Sequence, residues 1–131
     1  MRSKSPPKPD DLTQHLSGRP EIIFAVLYGS AVESERYRDL DVGIMVDRAR
    51  VPAAASLNYA FGMSATLEKA LQFPVDVRVL NDAPLPFRYN VSRGRPLFVR
   101  DWGAWFDFRE RAWDEYLDFQ PVALAYLREM R

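Results

Sequence analysis

An α/β fold built on a small sheet is what this chain predicts, from three observations. Strand-like and helix-like segments alternate along it, two segments place their valines and leucines at period two, and a nearly unbroken apolar run stops at a Gly-Ser pair. With 131 residues, 47% of them hydrophobic, the chain fits one domain with a real core. The expected boundaries are a flexible tail over 1–9 and a single domain over 10–131.

The start, Met1-Arg2-Ser3-Lys4-Ser5-Pro6-Pro7-Lys8-Pro9, is Pro-rich and lacks the apolar centre of a signal peptide. Asp10 or Asp11 is the expected cap of a short helix through Ser17, with Gly18 as its stop. Glu21 to Tyr28 reads as a strand buried on both faces, followed by a tight turn at Gly29-Ser30. After the loop Ala31–Arg38, the residues Leu40, Val42, Ile44 and Val46 alternate with Asp39, Asp41, Gly43, Met45 and Asp47, the pattern of a half-buried strand.

Pro52 opens a predicted helix to Leu71, with Leu57, Ala60, Phe61, Ser64, Leu67 and Leu71 on one stripe. Pro74 to Leu80 repeats the strand alternation through Val75, Val77 and Val79. Pro84 to Arg93 is a shorter helix ended by Gly94, which returns the chain to a strand at Leu97-Phe98-Val99. The last helix is crowded with Trp102, Trp105, Phe106, Trp113, Tyr116 and Phe119. Trp102, Trp105, Phe106, Arg109, Trp113 and Tyr116 follow helical spacing, while Phe108, Ala112 and Phe119 widen the apolar surface. Two readings stand for these rings: a core helix laid across the sheet, and a surplus face that docks another protein. Pro121 is expected to break or kink the helix after Gln120.

Composition excludes several function classes. Zero cysteines remove disulfides and thiolate zinc sites. Lysine plus arginine equal aspartate plus glutamate at 18 each, so no basic field attracts a nucleic-acid backbone, and a nucleic-acid polymer is not the expected substrate. No apolar run reaches the roughly 20 residues of a membrane span, so a cytoplasmic protein is expected. The single histidine, His15, belongs on the surface of the first helix, and without another no Ser-His-Asp hydrolase is credible.

The chemistry concentrates between residues 28 and 76. Residues i and i+2 of a strand share a face, so Asp39 and Asp41 project together, about 6–7 Å apart. Carboxylates that close repel unless a cation or proton intervenes, and hard divalent ions take such oxygen ligands. Asp76 stands opposite the aliphatic row of its own strand, together with Arg78. If the two strands are neighbours, three carboxylates converge on one face and a two-metal site follows. Gly29 lacks the Cβ that would block a phosphate, and the amides after it, with the Ser30 hydroxyl, can donate to phosphate oxygens. Arg36 and Arg38 can neutralise phosphate charge.

Each element also has an ordinary reading. Gly-Ser after a strand is a common turn, Asp-x-Asp at a strand edge deters edge pairing, Asp76 can simply pair with Arg78, and loop arginines are often solvated. Their order and spacing together favour nucleotidyl transfer.

The residues Tyr28-Gly29-Ser30, Asp39-Leu40-Asp41-Val42-Gly43, Val75-Asp76-Val77, Leu80-Asn81-Asp82-Ala83-Pro84 and Arg93-Gly94-Arg95-Pro96-Leu97-Phe98-Val99-Arg100-Asp101 resemble the DNA polymerase β-type nucleotidyltransferase superfamily. More narrowly, the chain is similar to the minimal nucleotidyltransferase (MNT) antitoxins of HEPN/MNT toxin–antitoxin pairs. The likeness runs from about residue 22 to about residue 119. It differs in the loop after Ser30, which has eight residues and no glycine where the family has about ten.

The resemblance implies a mixed sheet flanked by helices and a Mg-dependent protein adenylyltransferase. Its ATP-derived AMP would go to a tyrosine of a cognate HEPN ribonuclease toxin. Asp39, Asp41 and Asp76 would then hold two Mg2+ ions, with Gly29, Ser30, Arg36 and Arg38 on the nucleotide. A non-catalytic antitoxin that neutralises its partner by covering it is the second expectation. Nucleotidylation of a small molecule is a weaker third.

Overall fold

The computed structural model describes residues 6–129. Its elements run α1 (Pro9–Leu16), β1 (Ile22–Tyr28), α2 (Ser30–Glu33), β2 (Leu40–Val46), a 3-10 turn (Ala53–Ala55), α3 (Ser56–Leu71), β3 (Val75–Val79), α4 (Leu85–Ser92), β4 (Arg95–Val99) and α5 (Trp102–Glu129). The expected tail residues 1–5 lie outside the described residues. The sheet order is β3-β2-β1-β4. β1 is antiparallel to β2 and β4, whereas β2 and β3 are parallel, with α3 as their crossover. The fold is therefore the expected α/β class with a mixed sheet.

Period-two alternation splits the sheet into two faces. One carries Ala25, Leu27, Leu40, Val42, Ile44, Val75 and Val77, covered by Leu12 and Leu16 of α1 and Met63 and Leu67 of α3. The other carries Phe24, Val26 and Tyr28, packed with Leu80, Val91 of α4, and Trp105 and Phe108 of α5. Phe24 sits at the centre of that aromatic layer, 5.2 Å from the Trp105 ring and 5.5 Å from Phe108. Each fully buried side chain of this size contributes about 1.5–3 kcal/mol.

Gly43 sets how closely α4 approaches. A Cβ there would lie 2.9 Å from Leu80 Cδ2 and 3.1 Å from Val91 Cγ1, so any side chain would push both away. Helices α4 and α5 are tied by a Tyr89–Tyr116 stack with centroids 3.7 Å apart, an Arg88–Glu115 pair at 2.8 Å and a bond from Trp113 Nε1 to the buried Ser92 Oγ.

The structure corrects two local expectations and narrows two others. Helix α1 starts at Pro9 with Lys8 as its cap residue, and Asp11 accepts from the Lys8 amide at 2.8 Å, so the acid closes the first turn from inside it. Helix α3 buries Ala60, Met63 and Leu67 and leaves Leu57 and Phe61 exposed at 66% and 65%. The predicted stripe was rotated because the free edge of β3 leaves the Leu57–Phe61 side without a partner layer.

Third, α5 buries Trp105, Phe108 and Ala112, while Trp102, Phe106 and Phe119 remain exposed, so the sheet takes only one stripe of the rings. Fourth, α5 continues through Pro121 to Glu129. One lost backbone bond does not stop the helix, because Ala, Leu, Arg and Glu recur after it as good helix formers. Among the described residues no helix is long and apolar enough to cross a membrane.

Candidate active site

The C-terminal end of β1, the N-terminal end of β2 and the start of β3 meet at one edge of the molecule. Antiparallel register pairs Tyr28 with Asp41, and parallel register pairs Asp41 with Asp76. Paired residues share a face, so both carboxylates stand on the side covered by α4 and α5. Asp39 is exposed and lies just before the first residue of β2.

Gly29 turns the chain out of β1 with φ +79° and ψ −152°, a conformation that side-chain-bearing residues rarely adopt. A Cβ at this position would sit 2.5 Å from Asp41 Oδ2. The Asp41 carboxylate therefore lies against the bare Cα of the turn, and only glycine leaves room for it. The four-residue α2 begins at Ser30, whose carbonyl accepts from the Ser34 amide at 2.9 Å. The side chain of Ser30 is exposed.

Charge crowding marks the site. The Asp41 carboxyl is pushed above its ordinary value of 3.8 by partial burial and by the neighbouring Asp39 and Asp76 carboxylates, with Arg78 pulling the other way. Tyr28, buried beside them, is pushed up by desolvation and then by the Asp41 and Asp76 charges, so its phenol stays neutral. Arg78 binds Asp76 Oδ2 through Nε at 3.1 Å and lies over the Phe87 ring at 5.4 Å. Phe87 in turn meets Tyr28 edge-on at 5.4 Å.

Among the described residues no group of three or more acidic or histidine side chains stands ready to hold a metal ion. Asp76 is turned to Arg78, in the ordinary ion pair anticipated for it. The donor set still suits a hard divalent cation: among the described residues Asp39 and Asp41 form no ion pair with a basic side chain, and the crowding at Asp41 is what such an ion would relieve.

Ser30, Arg36, Arg38 and Asp39 line one concavity of about 630 Å³, so the loop arginines are brought to the serine and the first carboxylate. A smaller cavity of about 160 Å³ joins Tyr28 and Gly29 to Asn90, Arg93 and Gly94 of α4 and its end. Asn90, Arg93 and Phe87 were not anticipated as site residues. Their trace in the sequence is slight: Arg93 stands in a segment that resembles the family, and Gly43 and Gly94 lack the side chains that would keep α4 off the sheet.

A family model described as polymerase beta, nucleotidyltransferase, matches residues 10–102. No curated protein matches the chain. Several solved structures share its fold. A chain of the MntA-HpeT toxin–antitoxin pair with an Asp-to-Glu double substitution aligns with TM-score 0.74 and 17% identity, over 95% of this chain and 98% of its own. A chain of a toxin–antitoxin structure with AMP-PNP aligns with TM-score 0.74 and 19% identity, over 95% and 98%. One from the complex of tri-AMPylated Shewanella oneidensis HEPN toxin with MNT antitoxin aligns with TM-score 0.70 and 19% identity, over 93% and 94%.

Proposed function

The chain belongs to the polymerase beta nucleotidyltransferase family, and from that premise we propose that it is a cytoplasmic antitoxin that transfers AMP from ATP to a tyrosine hydroxyl of a cognate HEPN toxin. The observation that carries this reading is the contact between the Gly29 turn and the Asp41 carboxylate, with Asp76 next to it across the parallel strand pair. A phosphate-accepting turn and a pair of carboxylates in direct contact are what nucleotidyl transfer requires. The matched MNT-fold chains support the choice of acceptor, since one comes from an antitoxin complex whose HEPN toxin is tri-AMPylated.

In this reading Asp39, Asp41 and Asp76 would hold Mg2+, which would supply charge neutralisation and polarisation at the phosphates. The Gly29–Ser30 backbone and the Ser30 hydroxyl hold the β- and γ-phosphates, and Arg36 and Arg38 offset their charge. Tyr28 and Phe87 wall the carboxylates off from water on the core side. The acceptor oxygen attacks the α-phosphorus, the bond to the bridging oxygen breaks, and pyrophosphate leaves in line. The hydroxyl proton passes to Asp76. For that role Asp76 exchanges Arg78 for the incoming substrate, which an exposed ion pair worth about 0–1 kcal/mol permits.

The Asp76–Arg78 pair also favours a second reading, a module that neutralises the toxin by covering it. One experiment separates the two: toxin, Mg2+ and labelled ATP are mixed with wild type or with Asp39→Asn/Asp41→Asn. Transfer reads as label on the toxin that the double variant fails to deposit. Full neutralisation of the toxin by the double variant, without label, would sink the transferase.

A further inference from the structure

We propose that the groove between α3 and the free edge of β3 docks the tyrosine-bearing segment of the acceptor protein, with Leu57 and Phe61 as its anchors. This rests on the transferase reading and extends it from the reacting atoms to the surface that selects the acceptor. The groove encloses about 490 Å³ and is lined by Leu57, Ala60 and Phe61 of α3, Asp76 and Arg78 of β3, and Arg48. It is thus continuous with the third carboxylate of the site.

Geometry decides what it receives. The strands place Gly29, Asp41 and Asp76 in successive positions across the sheet, from β1 through β2 to β3. In-line displacement requires the nucleophile on the side of the α-phosphorus opposite the leaving pyrophosphate. With pyrophosphate held at the Gly29 turn, the acceptor enters from the β3 side, where this groove opens.

Charge and shape then narrow its chemistry. Both cations of the lining are already paired, Arg78 with Asp76 at 3.1 Å and Arg48 with Asp82 at 2.5 Å. Arg48 is further fixed by Ser56 Oγ at 2.7 Å. No net charge is left to capture a phosphate or a nucleic-acid strand. Leu57 and Phe61, 66% and 65% exposed, offer instead the apolar contact that an aromatic side chain uses, each such ring burying about 150–250 Å².

Strand addition is not the docking mode. The Val75 and Val77 amides, which point away from β2, already donate to Glu68 Oε1 at 3.0 Å and Ser64 Oγ at 2.9 Å. The occupant is therefore held through its side chains, and a ring seated between Leu57 and Phe61 directs its hydroxyl toward Asp76.

The test uses Leu57→Ser/Phe61→Ser in the full chain with the HEPN toxin. Both side chains are exposed, so the melting temperature should match wild type, and AMP-PNP affinity in Mg2+ should be unchanged. The expected result is a rise of tenfold or more in KM for toxin and a parallel loss of toxin affinity by calorimetry. An unchanged KM for toxin overturns the groove and leaves the transferase reading intact. If wild type itself deposits no label, the transferase reading falls, and calorimetry still decides the groove: equal toxin affinity of wild type and variant removes it.

Discussion

The face of the sheet under α1 and α3 is lined from end to end by aliphatic side chains, among them Leu27, Leu40, Val42 and Ile44, each at most 1% exposed. The face under α4 and α5 begins the same way, with Phe24 and Val26, and then gives way to Tyr28, Asp41, Asp76 and Arg78. The same three strands thus build a dry core on one side and, at one end of the other, a cluster of charged groups beside a turn that only glycine can make. Stability is invested where nothing has to react. On the other face packing gives way to polar groups: burial and the charges of Asp39 and Asp76 raise the proton affinity of Asp41, and Gly43 gives up its side chain to admit α4.

This contrast can be broken at several points. The largest effect is expected from Asp39→Asn/Asp41→Asn, which should lower AMP transfer by about 10³-fold, equivalent to about 4 kcal/mol of transition-state stabilisation, without unfolding the protein. Transfer assayed with labelled ATP that stays within tenfold of wild type would remove the carboxylates from the mechanism. Next, Leu67→Ala on the dry face should cost about 3 kcal/mol of stability in chemical denaturation while leaving transfer per folded molecule intact. A parallel fall in the specific activity of the folded fraction would mean that the two faces are coupled.

Gly29→Ala joins both properties. The backbone there is in the left-handed region, and the new methyl meets Asp41 Oδ2 at 2.5 Å, so a cost of about 1–2 kcal/mol is expected together with a loss of transfer. A crystal structure of the variant with Asp41 undisturbed would contradict this. The smallest effect concerns Asp41→Asn alone, which should melt about 2 °C above wild type at pH 7 without divalent ions.

The sign of that last effect follows from proton linkage. A carboxyl whose folded value is raised binds more protons in the native than in the unfolded state, so its contribution to stability is lost as pH rises from its ordinary 3.8 through the raised folded value. The gain in melting temperature from Asp41→Asn should therefore be small at pH 3.5 and larger at pH 7, and Mg2+ should close the gap by stabilising wild type more. Calorimetric scans at the two pH values with and without Mg2+ check both.

The strands were legible because their patterns are local. Leu40 to Val46 and Val75 to Val79 alternate residue by residue, and the positions of Asp41 and Asp76 on one face follow from that alternation once the strands are adjacent. Gly29 was legible as a turn that must come close to something. What it approaches was not, since the Asp41 oxygen is twelve residues away and meets it only through antiparallel register.

The orientation of α3 is not legible in the sequence, for a related reason. Leu57 and Phe61 fit a core stripe as well as Met63 does, and only the open edge of β3 decides which side of the helix finds a partner. The same limit hid Phe87, Asn90 and Arg93, which reach the site because α4 settles over Gly43. In α5 the ring-rich sequence exceeded what the sheet can cover, so helical spacing alone picked out Trp102 and Phe106 as readily as Phe108.

Glu68 and Ser64 occupy two outward amides of β3, and that closes off a sequence-blind route of recognition. Main-chain zippering accepts almost any extended peptide, whereas side-chain seating depends on the identity of every residue involved. Where such a groove meets a partner, a few compensating changes along α3 and on the segment it receives would be enough to switch one pairing for another.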